Sequence, residues 1–150
     1  MLEQDFYPNR VDKVYPGLFI SGAIFNYSAL LDNNITHVVN LRAEHHDDIS
    51  ILTRYGISYY WLPIGDWGSP RSDQINTLLQ LWDSLDPSDN MLIHCAVGIG
   101  RAPCMALAIL QWEGLEVEQS IINLIESRPE IRMLPTQTKK VNEVMGKICQ

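Results

Sequence analysis

Apolar positions along this chain follow two rhythms, and the two alternate. Val11 to Ser21 reads as one or two strands, interrupted at Pro16-Gly17 where the chain can turn. Tyr27 to Leu31 predicts a short helix. Thr36 to Leu41 (THVVNL) predicts a strand. Asp48 stands where a cap would stand for a helix from about Ile49 to Tyr55, and Gly56 is placed to stop it. Ile57 to Leu62 predicts the next strand. Ile75, Leu78, Leu79, Trp82 and Leu85 recur at helical spacing. Met91 to Ile93 is a short unbroken apolar run of the kind buried in mid-sheet. Three helical patterns follow: one through Met105 to Leu110, one carried by Val117, Ile121, Leu124 and Ile125, and one by Val141, Val144, Met145 and Ile148. Such alternation predicts an α/β fold, a central sheet with helices on its faces, in one domain spanning 1–150.

Bulk properties narrow the class. The chain has 150 residues, 46% of them hydrophobic and 19% charged, enough for one globular unit with a real core. A net charge of −7 argues against nucleic acid or an anionic membrane as the main partner, while leaving room for a local cationic pocket. No apolar run is long enough to span a bilayer, and the first ten residues, MLEQDFYPNR, are acidic and polar rather than a signal sequence. Three cysteines do not make a disulfide framework. A reactive thiol needs a reducing compartment, so the expected location is the cytoplasm. Nothing in the pattern specifies an oligomeric state.

The candidate chemistry sits in Ile93-His94-Cys95-Ala96-Val97-Gly98-Ile99-Gly100-Arg101-Ala102. Cys95 should end a strand and Arg101 open a helix, because Pro103 suits a first helical turn. Backbone N–H groups of such a loop and helix start converge on an anion. Gly98 and Gly100 would let the backbone approach phosphate oxygens and take positive φ. Arg101 can hold two phosphate oxygens with its planar fork. The same positive surroundings favour the thiolate of Cys95 as nucleophile, and His94 can brace the loop through hydrogen bonds. The phosphate-binding set is then Ala96, Val97, Gly98, Ile99, Gly100 and Arg101, with His94 and Ala102 in support.

The pattern HCxxGxGR, together with VYPGLFISG, ITHVVNL and ESRPEI elsewhere, resembles the dual-specificity branch of the cysteine-based protein phosphatases over nearly the whole chain. A rhodanese-type sulfurtransferase also uses a cysteine loop, but of different length and without an upstream acid. The resemblance implies about five strands, mostly parallel, and hydrolysis through a cysteinyl-phosphate with no metal or other cofactor. It also implies an aspartate from an upstream loop as proton donor. In Trp61-Leu62-Pro63-Ile64-Gly65-Asp66-Trp67-Gly68-Ser69-Pro70, Asp66 matches that position. Asp73 competes, but it or Ser72 reads better as a helix cap. Most members carry Ser or Thr directly after the arginine. Ala102 here is similar to the phosphatase-of-regenerating-liver group, although Arg42 stands where that group has a cysteine and Cys149 is misplaced for a prenylation box.

Uncharged residues between Cys95 and Arg101 disfavour highly anionic headgroups and RNA 5′-triphosphate ends. Phosphorylated proteins are the expected substrates, at phosphotyrosine and, in a dual-specificity pattern, phosphoserine and phosphothreonine. Ala102 also motivates a second reading, a slow or inactive phosphatase-like module that binds phosphate or acidic segments. Several residues carry two readings. His45 and His46, with Asp47 and Asp48, lack the helical spacing of a metal pair and read as a solvated loop before the helix cap. Cys104 reads as buried beneath the loop, or as a disulfide partner for oxidised Cys95. Arg42 and Arg128 read as anion-binding residues at the mouth or as surface arginines. Trp67 either stacks on an aryl substrate or closes its loop against the core.

Overall fold

A computed structural model describes residues 10–149. The amino-terminal polar segment 1–9 and Gln150 lie outside the described residues. Five strands form one sheet: β1 (Val11–Tyr15), β2 (Leu18–Ser21), β3 (His37–Arg42), β4 (Ser58–Ile64) and β5 (Met91–His94). Their order is β1-β2-β5-β3-β4. The β1–β2 pair is antiparallel, and the other three pairings are parallel. The hairpin turns at Pro16-Gly17, where Gly17 takes φ +80°, so the break read from sequence is the hairpin turn. Six helices occur among the described residues: α1 (Ser28–Asp32), α2 (Ile49–Arg54), α3 (Ser72–Asp83), α4 (Arg101–Trp112), α5 (Val117–Ser127) and α6 (Pro135–Ile148).

The sheet separates two apolar clusters. Met91 and Ile93 of β5, with Val39 and Leu41 of β3, face a large cluster built with α3, α4, α5 and α6. Leu92 and Val38 face a smaller one with Leu30 of α1 and Leu52 of α2. This is strand parity at work, since alternate side chains point to opposite faces. All four residues of β5 are buried, which explains why its sequence shows no polar alternation.

Two expectations need correction. β4 runs on to Ile64, through Pro63, where the sequence reading had already begun a loop. A proline is tolerated there because β4 is an edge strand. Neither Ser72 nor Asp73 caps α3. Arg71 holds the cap position, and its N–H donates to Gln74 Oε1 at 3.0 Å. Asp73 instead lies in the first turn, paired with Arg71 at 3.0 Å. Asp48 does cap α2, accepting from Ile51 N–H at 3.2 Å, and Gly56 follows at φ +73°. No described helix is long and apolar enough to cross a membrane.

Candidate active site

The carboxyl ends of the parallel strands converge on one hollow, as expected where βα connections gather. Its lining includes Cys95, Ala96, Val97, Ile99, Gly100 and Arg101 from the loop between β5 and α4. Asp66 and Trp67 come from the turn after β4, and Gln137 from α6.

Parity along β5 decides what the two residues of the His-Cys pair can do. His94 falls on the small-cluster face and Cys95 on the face of α4. Cys95 is 3% exposed, and its Sγ accepts from the Ala102 N–H at 3.4 Å, in the first turn of α4. That places the sulfur at the positive end of a twelve-residue helix. The helix itself is interior: every residue from Arg101 to Leu110 is buried.

Arg101 has five N–H donors to account for. Nη1 donates to Glu44 Oε1 and to the Ile64 carbonyl, both at 2.8 Å, and Nη2 donates to Glu44 Oε2 at 3.1 Å. The remaining edge, Nε–H and the second Nη2–H, has the bidentate geometry that two phosphate oxygens require. Glu44 therefore sets the orientation of the fork. The arginine in turn holds the Glu44 carboxyl down at about 2, chiefly through these hydrogen bonds. Asp66 Oδ1 lies 3.6 Å from Nη2, and its side chain is 68% exposed.

The two loop glycines differ. Gly98 takes φ +81°, and a Cβ there would sit 2.6 Å from the Ser21 carbonyl carbon. The absence of a side chain thus lets the loop pack against the end of β2. Gly100, which precedes α4, has φ −123° and ordinary room for a Cβ. The expectation of positive φ therefore holds at Gly98 and is corrected at Gly100.

His94 is fully buried. Its Nε2 pairs with Asp47 Oδ2 at 2.6 Å, and Nδ1 lies 3.5 Å from the Cys95 carbonyl oxygen. The segment Ala43 to Asp48 is therefore no simple solvated loop. Glu44 orients Arg101, Asp47 holds His94, and the His46 ring lies 4.1 Å from that of Trp61. Among the described residues no group of side chains could hold a metal ion. Arg128 is neither at the mouth nor on the surface. It is fully buried, donating to Asp12 at 2.9 Å and to the Val97 carbonyl at 2.7 Å, so it buttresses the loop from behind. Arg42 turns to Glu44 at 3.1 Å. Cys104 is buried under the loop, and burial raises its thiol to about 12.

The turn carrying Asp66 is wound tightly. Gly68 N–H donates to the Gly65 carbonyl at 2.8 Å, closing Gly65-Asp66-Trp67-Gly68. Trp67 occupies the third position with φ +61°, where glycine is the usual occupant. Holding a bulky residue there costs about 1–2 kcal/mol. Two buried glutamines clamp the flanks: Gln74 Nε2 donates to the Pro63 carbonyl at 2.6 Å, and Gln137 Nε2 to the Gly68 carbonyl at 2.9 Å. Trp67 is 55% exposed, which excludes closure against the core.

Glu44, Asp47, Gln74 and Gln137 went unseen in the sequence. The first two had a signal. They follow β3, one of the strands bordering β5, so their carboxylates fall at the strand ends where the site forms. The glutamines had none.

This arrangement, a cysteine loop feeding a buried helix from the central strand of a five-stranded sheet, is the architecture of the cysteine phosphatases. A mouse dual specificity phosphatase solved with zinc tungstate superposes with a TM-score of 0.81 over 94% of this chain and 89% of its own, at 17% identity. The structure of PTPMT1 does so at 0.80, over 93% and 96%, at 18% identity. Residues 19–115 match the family described as "Polymorphic toxin system, DSP-PTPase phosphatase", and the chain belongs to it. Human dual specificity protein phosphatase 13B is 26% identical over 93% of this chain and 78% of its own length. Mouse protein phosphatase Slingshot homolog 3 is 24% identical over 88% of this chain, which spans only 20% of that protein.

Proposed function

We propose that residues 1–150 form one phosphatase domain that hydrolyses phosphotyrosine, with phosphoserine and phosphothreonine as further substrates, through a cysteinyl-phosphate intermediate. The observation that carries this reading is the Cys95 sulfur held 3.4 Å from a helix N-terminal N–H, in the same hollow as Arg101 and Asp66. Cys95 Sγ attacks phosphorus in line, and the bond to the leaving oxygen breaks. Arg101, through the edge that Glu44 leaves open, and the amides of 96–101 hold the equatorial oxygens. Asp66 gives its proton to the leaving oxygen. It then takes one from the water that attacks phosphorus and releases the thiolate and inorganic phosphate. No step calls on a metal or other cofactor.

A structure of PTPMT1 was solved in complex with PI(5)P. In this chain Ala96, Val97, Gly98, Ile99 and Gly100 add no positive charge beside the reacting phosphate, which favours a phosphoprotein over a polyanionic lipid headgroup. The expected working place is the cytoplasm.

Ala102 favours a second reading. It is fully buried and carries no hydroxyl toward the sulfur, so a slow or inactive module that binds phosphate or acidic partner segments also fits. Turnover separates the two. Cys95→Ser should abolish release of phosphate from an aryl phosphate while retaining phosphoprotein capture. Asp66→Asn should slow esters with poor leaving groups by ~10²–10⁴, and activated aryl phosphates much less. Near wild-type activity in Cys95→Ser, or equal losses on both ester types in Asp66→Asn, would refute the assigned roles.

A further inference from the structure

We propose that Trp67 is a specificity-determining residue, an aromatic wall that makes this site prefer aryl phosphates to alkyl phosphates. The inference rests on the phosphatase reading above and names the structural source of its substrate preference. Three observations converge. The third position of the Gly65–Gly68 turn has φ +61°, a conformation that glycine or asparagine meets without strain, yet the chain places its largest side chain there. Packing does not account for the choice, because the residue is 55% exposed. The other three tryptophans are anchored by their indole N–H: Trp61 to the Arg42 carbonyl, Trp82 to Glu113 and Trp112 to Asp83. Among the described residues, Trp67 has no hydrogen bond and no ring contact. Finally, it lines the hollow beside Cys95 and directly follows Asp66.

Position gives the indole its meaning. Asp66 meets the leaving oxygen, so the neighbour in the same tight turn borders whatever that oxygen carries. In phosphotyrosine that group is a ring, and an indole face beside it gains an aromatic contact. In phosphoserine the oxygen carries only a methylene, which offers the indole little area. Between Cys95 and Arg101 no charged side chain sorts one ester from another, so discrimination falls to the wall.

Binding and turnover are measured separately. In the Cys95→Ser background, calorimetry with phenyl phosphate and cyclohexyl phosphate gives an affinity ratio that requires no chemistry. The expected ratio favours phenyl by roughly three- to tenfold, the scale of one aromatic contact. Trp67→Asn should bring it to about one, and Trp67→Tyr should keep it. Asparagine tolerates the left-handed conformation, so Tm in Trp67→Asn should stay level or rise. A ratio unchanged in Trp67→Asn overturns the proposal. So does an equal loss of both ligands with a lowered Tm, because the indole would then be a brace for the turn. In parallel, wild-type protein is assayed for phosphate release from phosphotyrosine and phosphoserine peptides of one sequence. Absence of release from both, with the phenyl preference intact, refutes the phosphatase reading and leaves Trp67 as an aryl-phosphate contact.

Discussion

At the scale of single residues, the proposed cycle gives Ala102 a role in its second half. Its N–H reaches the sulfur, but its methyl cannot help the thiolate depart. Breakdown of the phosphoenzyme should therefore be slow relative to its formation. Rapid-quench measurements should show a burst of alcohol near one equivalent of enzyme, then a slower steady state. Ala102→Ser should speed the second phase and shrink the burst, and a tenfold gain requires only ~1.4 kcal/mol of barrier. No burst in the wild type, with no gain in the variant, would remove this role from the alanine. The cysteines make a companion test. Iodoacetamide should modify Cys95 well ahead of Cys104, whose thiol is buried and raised to about 12. Phosphate should protect Cys95, and preferential labelling of Cys104 would contradict the arrangement.

At the scale of elements, the cysteine loop owes its shape to the hairpin beside it. Gly98 meets the backbone at Ser21 and Gly22, and Ala23 N–H donates to the Ala96 carbonyl at 2.9 Å. Gly98→Ala would drive a methyl into backbone while imposing φ +81° on a residue with a Cβ. A loss of about 2–4 kcal/mol is expected from overpacking and backbone conformation together. A denaturant midpoint close to wild type would show that the loop can shift. The loop's chemistry was legible because Cys95, Gly98, Gly100 and Arg101 stand close in sequence, and strands such as 37–42 were legible because burial demands an apolar run. The braces were not, because each depends on distance collapsed by folding. Arg128 reaches Asp12, and Gln137 reaches Gly68, across separations that no local pattern encodes. Asp47 looked like one more charge in a polar run until parity placed His94 against it.

For the whole molecule, acid stability reports on long-range pairs. Arg10 Nη2 lies 2.6 Å from Glu130 Oε2, tying β1 to the segment after α5, and hydrogen bonding to Arg10 holds the Glu130 carboxyl at about 2. A folded value below the ordinary 4.5 of the unfolded chain means the stabilisation is complete above pH 4.5 and fades as pH falls toward 2. Glu130→Gln should therefore flatten the stability profile in that window. An unchanged slope would show that the pair contributes nothing in solution.

The burial of α4 has a consequence for how such a protein can fail. The proposed anion cradle is one end of a helix whose next nine residues are interior, so damage to the cradle is damage to the fold. Asp66, the proposed proton donor, hangs from an exposed turn with a glycine at each end, where replacement leaves the interior untouched. Accumulated change will therefore silence turnover before it erases recognition. A descendant of this chain that had lost its catalysis would still close around a phosphate.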